Sequence, residues 1–121
     1  MSDWRRRLDG LEVERLAGGA LALHQARTFT ARRRGLAKLD ALPGDVGLHI
    51  HRCGSVHTFG MRFGLDLIWL ARDGRVLRVD RAVPPRRQRL CVRARSVVEV
   101  AAGGADRWVV ELGARHGHGG S

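Results

Sequence analysis

The sequence contains few cysteines, few aromatic residues and no complete catalytic signature. Its two cysteines, Cys53 and Cys91, are too few for a disulfide framework, which excludes the small disulfide-rich secreted domains. The first ten residues, MSDWRRRLDG, lack the apolar run of a signal peptide or a membrane anchor. We therefore expect a cytoplasmic protein with free thiols and no membrane segment. Enzymatic activity is left undecided, with a non-enzymatic role favoured.

The charge balance is strongly basic, with 22 Lys and Arg residues against 12 Asp and Glu and a net charge of +10. Such an excess suggests polyanionic partners such as nucleic acid. However, every basic residue except Lys38 is an arginine, a bias that GC-rich coding alone can produce. Proteins that bind single strands also place aromatic stacking platforms between their charges, and aromatic residues make up only 5% of this chain. Nucleic-acid binding through the arginines is therefore the less favoured alternative.

Length and hydrophobic periodicity predict one small β domain. The 121 residues suffice for a single domain, which we divide into a loose N-terminal segment (1–10), a β domain (11–112) and a disordered Gly/His tail (113–121). Short apolar or alternating runs separated by turn residues predict the strands. They are Leu11–Leu16, Ala20–His24, Val46–Cys53, Leu65–Leu70, Arg75–Val83, Leu90–Val92, Ser96–Ala101 and Trp108–Leu112. The predicted fold class is mostly β: a β-barrel or a jelly-roll-like two-sheet sandwich with one short helix.

The one predicted helix spans Ala31 to Gly35, with Thr30 as its N-cap and Gly35 at its C-terminal end. It contains three consecutive arginines, Arg32, Arg33 and Arg34. Consecutive residues splay around a helix, so a solvated surface is favoured over an anion clamp for these side chains. A short polar loop bounded by glycines, Gly54 to Gly60, is predicted further along the chain.

The stretch from Cys53 to Gly74 holds the most unusual chemistry. Asp66 lies between two leucines in a strand predicted to be buried on both faces, where a carboxylate is costly unless it is paired or hydrogen-bonded. It either holds the preceding loop by accepting main-chain hydrogen bonds or is poised by burial to bind a ligand. Glu99 repeats this situation in the segment SVVEVAAGGA. The two acids could share a cavity with His57 or Arg62.

Two catalytic alternatives use the same stretch. Cys53, His57 and Asp66 could act as the nucleophile, base and orienting group of a thiol-based enzyme, although nothing in their spacing requires them to meet. A metal site could instead use His49 and His51, which project from one face of a predicted strand, together with Cys53 and His57. This pattern resembles the His-x-His strand of cupins, but the glutamate that cupins carry shortly afterwards is missing. Two tail histidines could bind metal only adventitiously: His116 and His118.

Arginines could complete an anionic-ligand site around these residues, because the guanidinium fork suits carboxylate and phosphate. The candidates for such a rim are Arg62, Arg86, Arg87, Arg89, Arg93 and Arg95. Alternating arginines along a strand also protect a sheet edge from aggregation, and this is the safer interpretation.

Three segments are similar to the DUF192 family (domain of unknown function 192): ARTFTARRRGL at 26–36, SVHTFGMRFGLDLIWLARDGRV at 55–76 and SVVEVAAGGA at 96–105. The resemblance covers most of residues 20–112 and implies a compact β-rich barrel or sandwich with a little helix. It implies no reaction, because the family has no established activity. The motif residues that it assigns are His57, Met61, Asp66 and Glu99, with Arg34 and Gly35 in the helix. Gly64 departs from the family pattern, which commonly has a proline there, and His49 and His51 are not part of that pattern.

These observations lead to one main hypothesis, a non-enzymatic binding or accessory module without a cofactor. Its pocket is predicted near His57, Asp66 and Glu99, with Met61 and Arg62 as further ligand-binding residues. The expected partner is a small anionic ligand or another protein. The alternatives are a cupin-like metal-dependent enzyme built on His49, His51, Cys53 and His57, and polyanion binding through the arginines.

Overall fold

The computed structural model describes residues 3–119. In chain order the elements are α1 (Trp4–Leu8), β1 (Val13–Leu16), a 3₁₀ turn (Ala17–Gly19), β2 (Leu21–Ala26), α2 (Phe29–Arg34), β3 (Val46–His51), β4 (Ser55–His57), β5 (Leu65–Leu70), β6 (Val76–Val83), β7 (Gln88–Leu90), β8 (Ser96–Ala101) and α3 (Ala105–Gly119). The predicted mostly β fold class is confirmed. Within residues 3–119, every helix is too short or too polar to cross a membrane.

Six of the strands form one mixed sheet in the order β1-β2-β3-β8-β5-β6, and β4 and β7 form a separate two-stranded sheet. Neighbouring strands pair antiparallel, except β2 and β3. These two are parallel, so a crossover connects them, and it contains α2. In the described part of the chain β1 and β6 are the edges of the large sheet. The sheet is therefore not closed into a barrel, and the fold is sandwich-like.

Both faces of the six-stranded sheet are buried. On the face that we call the α2 face, Leu48 and Val97 pack with Ala31 of α2 and Val56 of β4. The opposite face, the α3 face, packs Leu21, Leu23, Ile68 and Val98 against Trp108 and Leu112 of α3. Because β5 lies inside the sheet between these two layers, all six of its residues are buried, as its continuous apolar run predicted.

The C-terminal segment corrects two predictions. The predicted strand Trp108–Leu112 is wrong, because these residues belong to α3. Ala105, Trp108 and Leu112 recur at helical spacing and are fully buried against the sheet, whereas a five-residue apolar run does not distinguish a strand from a helix. The predicted disordered tail is also corrected, since residues 113–119 continue α3. The side chains of His116 and His118 lie outside the described part of the structure.

The N-terminal half needs smaller corrections. Residues predicted as a loose segment include α1, which Asp3 caps by accepting a hydrogen bond from the Arg5 N–H. The N-cap of α2 is Thr28 and not Thr30, since the Thr28 hydroxyl accepts a hydrogen bond from the Ala31 N–H at 3.1 Å. Gly35 ends this helix as predicted. The predicted loop 54–60 contains β4, which pairs with β7.

Asp66 of β5 links three separate parts of the chain through main-chain hydrogen bonds. Its Oδ1 accepts from the Ala82 N–H at 2.7 Å, in the part of β6 where the register with β5 shifts. Its Oδ2 accepts from the N–H groups of Gly103 and Ala105, both at 3.0 Å, at the start of α3. The carboxylate is only 1% exposed, and these bonds offset the cost of burying it. Of the two roles considered from the sequence, Asp66 therefore has the structural role: it accepts main-chain hydrogen bonds.

We expect Asp66→Asn to lower the free energy of unfolding by about 3 kcal/mol, because an amide places a donor NH₂ against one of these N–H groups. Urea denaturation followed by circular dichroism measures the loss. Asp45→Asn is the matched control, since Asp45 is exposed in a turn and should change stability by less than about 0.5 kcal/mol. Equal stability of the two variants would contradict this role for Asp66.

Candidate functional site

A small cavity of about 150 Å³ lies between the α2 face of the sheet and α2 itself. Glu99 contributes to the side of the cavity formed by the sheet. It comes from β8, an inner strand that pairs with β3 on one side and with β5 on the other. His57 of β4, Met61 and Cys53 line it from the other side. The end of α2 contributes Arg32, Arg33, Arg34 and Gly35, and the apolar lining consists of Leu36, Ala37, Ile50, Val56 and Phe59. We call this space the Glu99 cavity.

The Glu99 carboxyl differs from the Asp66 carboxyl because it is buried without hydrogen bonds from the described residues. Glu99 is 4% exposed, and no residue in the described chain donates a hydrogen bond to its carboxyl oxygens. Desolvation by burial raises the pKa of Glu99 from 4.5 to about 7. The protonated form is therefore populated near neutral pH, and its O–H can serve as a hydrogen-bond donor.

Arg32 is the second group of the cavity with unused hydrogen-bonding capacity. Its Nη2 donates to the main-chain carbonyl of Arg52 at 3.0 Å. Its Nε is buried and has no hydrogen-bond partner in the described structure. An N–H group in this position normally finds an acceptor. The Arg32 Nε–H is therefore available to an acceptor that enters the cavity.

Cys53 does not have the properties of a catalytic nucleophile. Burial raises the pKa of its thiol, an effect that nearby Glu99 adds to and Arg32 opposes, and the thiol donates to the Ser55 carbonyl at 3.1 Å. His57 is exposed beside Phe59, with ring centroids 5.9 Å apart. Asp66 is engaged with main-chain amides outside the cavity. The structure therefore does not bring the three residues of the thiol-based triad together.

The structure brings together three of the five predicted ligand-binding residues: His57, Met61 and Glu99. Asp66 and Arg62 do not line the Glu99 cavity. Arg62 instead forms an exposed ion pair with Asp40 at 2.8 Å. The rim predicted from later arginines is also wrong for this cavity, because the arginines that line it are those of α2.

The predicted metal cluster is not formed. His49 and His51 lie on the α3 face, where Gln25 Oε1 accepts hydrogen bonds from His49 Nδ1 at 3.0 Å and from His51 Nε2 at 2.6 Å. The remaining His49 nitrogen bonds to the Ser96 hydroxyl at 2.8 Å. Across the described residues, no group of three or more His, Cys, Asp or Glu side chains is arranged to hold a metal ion. The cupin-like ligand set of His49, His51, Cys53 and His57 is therefore wrong.

Comparison with known proteins identifies the family of the chain. No functionally curated protein matches the sequence. The fold is similar to that of a protein of unknown function from Novosphingobium aromaticivorans DSM 12444, with a TM-score of 0.70 and 21% identity over 87% of this chain and 81% of the other. It is equally similar to a "putative transcription regulator" from Sinorhizobium meliloti 1021, with a TM-score of 0.70 and 21% identity over 81% of this chain and 87% of that one. Residues 12–118 match the family described as "Uncharacterized ACR", and the chain therefore belongs to the DUF192 family.

Proposed function

We propose that this domain is a non-enzymatic binding module whose Glu99 cavity takes a small ligand carrying a carboxylate. The observation that carries the proposal is a pair of polar groups at one cavity, the buried Glu99 carboxyl and Arg32 Nε, neither of which has a hydrogen-bond partner among the described residues. Leaving a buried polar group unsatisfied costs about 1–3 kcal/mol. A ligand that pairs with both groups recovers this free energy.

A carboxylate matches the two groups because it offers acceptors to both. The Arg32 Nε–H is a fixed donor, and protonated Glu99 supplies an O–H donor. Arg33 and Arg34 also line the cavity, and Glu99 is the only acidic residue among the described residues that line it, so the local charge favours an anion. A cationic ligand would instead require ionised Glu99 and would face three guanidinium groups.

The size and lining of the cavity limit the rest of the ligand. A volume of about 150 Å³ corresponds to the space of roughly five water molecules, so only a short chain fits. Ile50, Val56 and Met61 are apolar, which favours an alkyl body on the carboxylate. Burial raises the pKa of the Cys53 thiol, so little thiolate is present at neutral pH, and this favours non-covalent binding at this place.

The pKa of Glu99 makes stability depend on pH. Between about pH 4.5 and pH 7 the folded protein retains a proton that the unfolded chain has released, so stability falls as the pH rises through this window. We expect Glu99→Gln to remove this component, and the variant to be more stable than the parent protein by up to about 3 kcal/mol at pH 8. Urea denaturation at pH 5 and pH 8 measures the difference. Glu111→Gln, on the partly exposed side of α3, is the control and should leave the pH dependence unchanged.

Ligand binding can be followed by the amide resonances of Gly35 and Glu99 in two-dimensional NMR spectra. The probes are butyrate, the uncharged butyramide and the cationic butylamine. We expect butyrate to shift both resonances, and its affinity to fall about tenfold for each pH unit above 7, as Glu99 loses the proton that it donates. In Glu99→Gln the amide remains a donor at every pH, so binding should persist without this pH dependence.

Arginine variants separate the cavity from general attraction to a basic surface. Arg32→Gln should abolish butyrate binding, while Arg86→Gln, at an exposed position outside the cavity, should leave it unchanged. Tighter binding of butylamine with rising pH would overturn the proposed ligand class. Failure of all three probes to shift the Gly35 and Glu99 resonances would overturn the site.

A further inference from the structure

A second and larger cleft, of about 800 Å³, opens on the α3 face of the six-stranded sheet. His49, His51 and Ser96 line it, and alternation along β3 and β8 directs these residues away from the Glu99 cavity. Its volume is within the range of about 300–1,000 Å³ that is usual for small-molecule sites. The charged part of its lining consists of Arg27, Arg52, Arg72 and Arg95.

The charged lining of this cleft has one sign. Among the described residues that line it, four are arginines and none is an aspartate or a glutamate. Arg27 makes an exposed ion pair with Glu12 at 3.3 Å, a contact of the kind that contributes little free energy. The guanidinium groups of Arg52, Arg72 and Arg95 have no hydrogen-bond or ion-pair partner among residues 3–119. The cleft thus offers several free guanidinium donors to one anion.

The floor of the cleft has the opposite hydrogen-bonding character. Gln25 Oε1 is an acceptor, so His49 Nδ1 and His51 Nε2 must both donate to it. The unprotonated His49 Nε2 then accepts from the Ser96 hydroxyl. This network commits the Ser96 hydrogen and leaves two acceptors unused, the oxygen lone pairs of Ser96 and the Nδ1 of neutral His51.

The contact between Ser96 and His49 resembles a nucleophile beside its base, but it cannot perform that chemistry. Burial, followed by the effect of His51, lowers the pKa of His49 to about 3. The group that orients its ring is the uncharged Gln25, which stabilises an imidazolium less than a carboxylate would. The network therefore provides a rigid floor with fixed acceptors, and it explains why these side chains are buried without being catalytic.

We propose that this cleft binds a phosphate monoester attached to a hydroxyl-bearing body, the chemistry of a sugar phosphate. A phosphate has enough terminal oxygens to accept hydrogen bonds from several guanidinium groups at once, which a single carboxylate does not. Ligand hydroxyl groups supply the donors that the Ser96 oxygen and His51 Nδ1 lack. The walls thus recognise the anion, and the floor recognises the polyol.

The test is calorimetric titration of the whole protein with ribose 5-phosphate, inorganic phosphate and ribose at fixed ionic strength. We expect ribose 5-phosphate to bind at least about tenfold more tightly than inorganic phosphate, because only the ester engages both parts of the cleft. Equal affinity for the two anions, or no binding of ribose 5-phosphate at millimolar concentration, overturns the proposal.

Two neighbouring arginines give a matched pair of variants. Arg95 lines the cleft, and its side chain makes no contact on which the fold depends, whereas Arg93 is exposed and lies outside the cleft. Arg95→Gln should weaken ribose 5-phosphate binding by about tenfold or more, and Arg93→Gln should have little effect. Equal weakening by both variants would show attraction to a basic surface and overturn the site.

Two further experiments distinguish ligand binding in this cleft from the other hypotheses. Glu99→Gln should leave the affinity for ribose 5-phosphate unchanged, because Glu99 faces the opposite side of the sheet, so the two proposals can fail independently. A short single-stranded oligonucleotide tests polyanion binding. If it binds with a steep salt dependence and displaces ribose 5-phosphate equally in the parent protein and in Arg95→Gln, the cleft is part of a polyanion surface and the proposal is wrong.

Discussion

The free-energy cost of burying an ionised carboxyl group decides the roles of the two acids inside this sheet. Asp66 and Glu99 lie on adjacent strands and are almost equally inaccessible to water. Asp66 meets the cost with main-chain N–H groups, whose positions it fixes in return. Glu99 has no such donors, so the protein meets the cost by raising its pKa towards neutrality. One acid therefore maintains the architecture, and the other retains hydrogen-bonding capacity for a ligand.

The two-residue period of the strands explains why one thin sheet can carry two unrelated sites. In β3, Leu48 and Ile50 face α2, while His49 and His51 face the other side. In β8 the same alternation separates Glu99 from Ser96. Helix α3 covers only part of its face, and the arginine-lined cleft occupies another part. The Glu99 cavity is instead roofed by the last turn of α2, where Gly35 adopts a positive φ of 47°.

Most of the strands could be predicted from the sequence, but little of the candidate site could. The predicted strands Leu11–Leu16, Leu65–Leu70 and Arg75–Val83 follow from local pattern, and the structure has β1, β5 and β6 there. The burial of β5 follows in the same way from its apolar run. The acids were also recognisable, because a carboxylate within an apolar run is unusual wherever it folds. Whether hydrogen-bond donors lie next to a buried carboxylate depends on which loop packs against it in the folded chain. No local sequence pattern shows which loop that is. For the same reason the position of Arg32 at the Glu99 cavity could not be predicted, since helical periodicity does not show which side of α2 packs over a cavity.

The end of β3 is the one place where the two sites meet. Cys53 lines both cavities. Arg52 lines the cleft, and its carbonyl accepts the hydrogen bond from Arg32 of the Glu99 cavity. Arg52 has a positive φ of 55°, which ends the strand alternation and turns the chain between the two faces. A substitution at Cys53 or Arg52 would therefore disturb both sites and could not assign a ligand to either one. Glu99 and Arg95 lie four residues apart in sequence, but each lines only one of the two cavities, and for this reason they separate the sites.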